Sequence, residues 1–158
     1  MMIISENTIN LMIEKYDDES AYLSDMTILT NEQKDLVAFL DQENYSLLTH
    51  DEMALLEYLS CIIYFSCKST LQKVPVIKGS VLEKWEEANW DLFNTSNTKD
   101  FNKVLDIFFE NYKQEDLLAL IEDSIQQDEE NLVTPVGSEI IFVACKSIID
   151  TIDQLNAA

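Results

Sequence analysis

Apolar side chains recur along this chain at the three- and four-residue spacing of helices, and in two stretches they leave no polar face at all. Between Met53 and Cys67, residues Leu55, Leu56, Leu59, Ile62, Ile63 and Phe65 point in nearly every direction around a helix axis. From Ile140 through Phe142, Val143, Ile148 and Ile149 to Ile152 the pattern repeats. A helix that is apolar all round must be surrounded by protein, so helices over about residues 50–69 and 135–155 are expected at the centre, packed on each other.

The other periodic segments are amphipathic and belong around that pair. One runs from Ser5, the expected cap, to Tyr16 and ends at the acids Asp17, Asp18 and Glu19. A short helix or loop follows around Ala21 to Leu29, and Thr30 or Asn31 is expected to cap a helix burying Leu36, Phe39 and Leu40. Further helices are expected over about residues 81–93, 99–112 and 115–127. In the first of these, Val81, Trp85, Ala88 and Leu92 share a stripe that predicts the core face. Thr134 and Pro135 suit the start of the last helix, because proline at the first helical position is preorganised. The one strand-like run, Leu71 to Lys78, contains Pro75 and is therefore an edge or an extended connector. The expected fold is all-α: one domain over residues 1–158, a bundle of six to seven helices.

Composition supports helices over strands. Gly79 and Gly137 are the only glycines and Pro75 and Pro135 the only prolines, too few for a fold with a turn every ~8–12 residues. Charge changes the picture more. Thirty acids face ten lysines, with no arginine, for a net −20. Repulsion from phosphates argues against direct nucleic-acid binding and against an anionic membrane surface. A basic protein partner is the electrostatically favoured one, although an acidic surface also serves plain solvation. The charge is uneven: residues 1–60 hold thirteen acids and two lysines, residues 61–100 five of each, and residues 101–158 twelve acids and three lysines. If the fold joins the two ends, one face is strongly negative. The three cysteines, Cys61, Cys67 and Cys145, sit in apolar helices and suit buried free thiols in a reducing compartment. The first residues lack the basic and apolar regions of a signal peptide, so a cytoplasmic location is expected.

Catalytic patterns are missing. Two isolated glycines build neither a phosphate-cradling loop nor a dinucleotide turn, and no GxSxG elbow occurs. His50 is the only histidine, short of the two ExxH motifs of a di-iron bundle. It lies about 16 Å along the helix from Cys61, so a Cys–His dyad is open only to Cys145. The runs Asp17–Glu19 and Asp128–Glu130 are expected as solvated helix ends rather than ion sites. With thirty acids, a close carboxylate pair carries no information about acid–base chemistry. No catalytic, cofactor or metal residue is assigned.

The binding candidates lie on one helix. Trp90 falls about 180° from Val81, and its neighbours on that side are Glu83, Glu86 and Glu87. A tryptophan rimmed by acids resembles an interface anchor. The alternative is that Trp90 packs within the fold, and Leu82 and Phe93 widen the apolar arc in that direction. The expected function is therefore binding without catalysis: an acidic helical surface that holds a basic protein, the general character of small immunity proteins and nuclease inhibitors. That likeness is one of composition alone. Two other classes stay open, an enzyme with a pocket between the central helices and a homo-oligomer built through the Trp85–Trp90 helix.

Overall fold

The computed structural model describes residues 2–96, 100–126 and 133–157. Among them every regular element is helical, and none is a strand. In chain order they are α1 (Glu6–Lys15), α2 (Glu19–Glu32), α3 (Lys34–Leu40), a 3-10 turn (Glu43–Leu47), α4 (His50–Leu71), α5 (Gly79–Asn94), α6 (Phe101–Phe109), α7 (Glu115–Ser124) and α8 (Pro135–Ala157). No helix of the described residues is long and apolar enough to cross a membrane.

The two all-apolar segments form α4 and α8, which pack on each other at the centre as their composition demands. Every residue from Leu59 to Cys67 and from Ile140 to Ile152 is buried. The other helices cover this pair: α1 and α2 lie against α4, α5 and α7 against α8, and α3 bridges α2 and α5. Phe108 and Phe101 of α6 meet Phe142 of α8 at ring separations of 5.1 and 6.3 Å. The hydroxyls of Ser60, Ser147 and Thr151, sealed in these helices, bond back to carbonyls four residues earlier, so burial leaves none of them unpaired.

Two local expectations change. Thr30 and Asn31 cap nothing; α2 runs through both, and the break before α3 falls at Gln33. The reason is tertiary. Gln33 is buried, and its amide acts as a strand partner for the extended segment around Pro75: Nε2 donates to the Pro75 carbonyl, and Oε1 accepts from the Ile77 amide at 2.8 Å. Gln33→Ala leaves both backbone groups unpaired and is expected to cost about 1–3 kcal/mol in urea unfolding. On α5 the inward face is rotated. Leu82 and Asn89 are buried, whereas Ala88 and Leu92, assigned to the core from periodicity, are exposed. A polar residue on the inner face misled the apolar count.

The chain start is fixed to the C-terminal half. Gln114 accepts from the Ile4 amide at 3.0 Å and donates to the Met2 carbonyl, while Asp116 accepts from the Glu6 amide. The acid-rich first and last thirds of the chain thus meet where α1 contacts α7.

Candidate functional site

With the inner face of α5 set by Leu82 and Asn89, Trp90 lies about 80° from Leu82 rather than opposite the core. It is half-buried, and its ring meets Phe93 edge-on at 5.6 Å. Of the three glutamates grouped with it, Glu83 and Glu87 are exposed on the outer side of α5, while Glu86 is half-buried. Trp90 and Glu86 share a recess of about 370 Å³ formed with Asn44, Tyr45 and Leu47 of the 3-10 turn and Val136, Glu139 and Ile140 of α8. Glu83 and Glu87 do not line this recess; they border a shallower one with Ser80, Val81 and Lys84.

The recess has fixed walls and an apolar mouth. Tyr45 is buried, its ring against Phe39 at 5.7 Å and its hydroxyl donating to Glu86. Ile140 belongs to the core. Leu47 and Val136, by contrast, are 72 % and 53 % exposed. Burial pushes the Glu86 carboxyl up, with Glu83 adding repulsion and the Tyr45 hydroxyl partly offsetting both. Burial alone pushes Glu139 up. Neither has a lysine partner among the described residues. Two partly desolvated carboxylates without a counter-ion beside apolar surface favour an incoming cation.

A second polar constellation lies between α5 and α8. Lys146 Nζ donates to Asp150 Oδ2 at 2.8 Å and to Asn89 Oδ1 at 2.9 Å. Asn89 Nδ2 donates to Asp150 Oδ2 and to Ser147 Oγ, and the Tyr112 hydroxyl donates to Asp150 Oδ1 at 2.6 Å. The ammonium also lies 4.7 Å from the Tyr112 ring centroid. Lys146 and Asp150 are each 6 % exposed. The group is satisfied internally and sealed from solvent, so its role is to hold α5 and Tyr112 on α8. No local pattern in the sequence singles it out; the visible sign is Lys146, the one lysine of α8, four residues before Asp150 within the apolar run Ile140–Ile152.

The remaining candidates separate. His50 is exposed at the start of α4, whereas Cys145 is fully buried, so the two form no dyad. Burial pushes the Cys61 thiol up to about 11 and Cys67 up to about 12, and raises Cys145 as well, so none is a ready nucleophile. Asp18 caps α2 by accepting from the Ser20 amide at 3.0 Å. The run Asp128–Glu130 lies outside the described residues. Among those described, no group of three or more acidic, cysteine or histidine side chains is placed to hold a metal. The other groove residues, Asn44, Tyr45, Leu47, Val136, Glu139 and Ile140, were not anticipated as a site, because they come from the 3-10 turn and α8, which only packing joins to α5.

Fold and geometry together define an all-α bundle carrying an acid-rimmed apolar groove. No family model, curated protein or solved structure matches the chain.

Proposed function

We propose that this protein is a binding domain that holds a basic protein partner through its acidic helical surface and catalyses no reaction itself. The observation that carries this reading is the Trp90 groove, with its exposed apolar mouth and its uncompensated Glu86 and Glu139, next to the outward Glu83 and Glu87. Association is steered by the net charge of −20 and anchored by apolar contact. A second copy of the chain is a poor occupant, because both copies carry the same large negative charge. A cytoplasmic location goes with this reading, supported by three buried free thiols, which persist in a reducing compartment.

The test is calorimetric titration against purified basic proteins encoded beside this chain, at low and physiological salt. We expect one of them to bind with an affinity that falls as salt rises. Glu83→Lys with Glu87→Lys is expected to weaken it by about tenfold, mostly through slower association. Binding indifferent to both salt and charge reversal would sink the proposal, as would no binding by any of them.

A further inference from the structure

We infer that the groove between the 3-10 turn, α5 and α8 is an anchor pocket for one apolar side chain of a basic segment, with an adjacent arginine or lysine held by Glu86 and Glu139. This rests on the binding function proposed above and assigns the chemistry of its contact.

The pocket is built before any partner arrives. Trp90 is braced by Phe93, Tyr45 by Phe39 and Glu86, and Ile140 by the core, so little side-chain freedom remains to be lost on binding. Its two lips are set by one carboxylate. Glu52 Oε1 accepts from the Thr49 amide at 2.9 Å, and Oε2 accepts from the Thr134 amide at 2.7 Å and the Thr134 hydroxyl at 2.8 Å. Leu47 stands two residues before Thr49 and Val136 two residues after Thr134. The lips are therefore fixed relative to each other through a side chain that is itself 1 % exposed. About 370 Å³ is near the lower end of small-molecule pockets, room for one large side chain and part of its neighbour. Exposed Leu47 and Val136 give that side chain an apolar collar. The half-buried carboxylates choose a cation beside it, and Trp90 in the same wall adds apolar contact area. A single apolar anchor flanked by positive charge is thus the complementary ligand.

The probe is a short amidated, fluorescein-labelled peptide of alternating arginine and leucine, followed by anisotropy. An arginine–glycine peptide of equal length keeps the charge and removes the anchor. We expect the first to bind at least tenfold more tightly, the worth of burying one leucine. Val136→Asp and Leu47→Asp change exposed positions and leave the fold intact; each is expected to weaken the arginine–leucine peptide about tenfold, with Glu139→Gln selectively lowering the salt dependence. Trp90→Ala is expected to cost about 30-fold or more. Equal affinity for the two peptides, no measurable binding of either, or binding unmoved by Val136→Asp and Leu47→Asp overturns the pocket. Peptide binding that ignores those variants yet falls with Glu83→Lys and Glu87→Lys would leave the proposed function standing and remove only the anchor. Groove-dependent peptide binding with no basic protein partner would do the reverse.

Discussion

Lys146→Met is expected to destabilise the protein by about 3–5 kcal/mol, the loss seen when one member of a buried ion pair is removed. Methionine fills much of the lysine volume, so the effect is electrostatic rather than a cavity. What remains is the Asp150 carboxylate, 6 % exposed, with only the Asn89 amide and the Tyr112 hydroxyl to hold its charge. Asn89 Oδ1 loses its donor at the same time. In a chain of 158 residues this shift corresponds to a fall of roughly 10 °C in Tm, readable by circular dichroism. Asp150→Leu alone is expected to be comparably damaging, because it strands the ammonium. The double variant Lys146→Met with Asp150→Leu is the informative one. It removes both charges and is expected to recover most of the loss, while Asn89 Nδ2 and the Tyr112 hydroxyl, newly without the carboxylate, retain a residual cost of about 1–3 kcal/mol. A double variant no better than the singles would show that the cluster acts through shape rather than charge.

That cluster also marks where the sequence stops being legible. Apolar residues on nearly all faces between Met53 and Cys67, and the apolar run from Ile140 to Ile152, pointed to the two central helices, because no amphipathic stripe describes them. On α5 the same logic took the apolar stripe of Val81, Trp85, Ala88 and Leu92 as the core face, whereas the residues buried are Leu82 and Asn89. The error has one cause: the energy that buries Asn89 comes from Lys146 and Asp150, more than fifty residues away, and pairwise polar burial leaves no periodic trace. Trp90 and Glu86 were visible as an aromatic–acid pair on one helix, and the structure sets both into the same recess. Glu83 and Glu87, their neighbours in sequence, belong to a different surface. The groove's far wall was not legible at all. Leu47 and Val136 are apolar residues just outside or at helix starts, and nothing local distinguishes them from residues packed on the core, such as neighbouring Leu48. Their exposure follows from how Glu52 ties two helix beginnings together.

Glu52→Ala is expected to cost about 2–4 kcal/mol, well above the roughly 1 kcal/mol of a single helix cap. One carboxylate closes the capping box of α4 and holds the start of α8, so its loss orphans the amides of Thr49 and Thr134 together. Gly137 is the sequence partner of this arrangement, since a Cβ at that position would overlap the Glu52 carboxylate. Gly137→Ala in the native background should therefore destabilise by about 1–3 kcal/mol, as the displaced carboxylate gives up buried hydrogen bonds. In the Glu52→Ala background the same substitution meets no obstacle and should stabilise by up to about 1 kcal/mol, the ordinary advantage of alanine over glycine in a helix. A reversal of sign across the double-mutant cycle identifies the clamp; additive losses would refute it. Acid provides an independent check. Burial pushes the Glu52 carboxyl up, but the hydrogen bonds from Thr49 and Thr134 outweigh it and hold the group below the usual glutamate range. Its contribution is therefore complete above the unfolded value of about 4.3 and disappears as pH falls through the lower folded value. Glu57, Glu86, Glu122 and Glu139 are raised by burial and shift the other way, gaining stability as they protonate on the way down to about pH 4.3. The native protein should thus be most stable near about pH 4–5 and weaken below it, and Glu52→Gln, less stable at neutrality, should converge on the native curve in that acid limb.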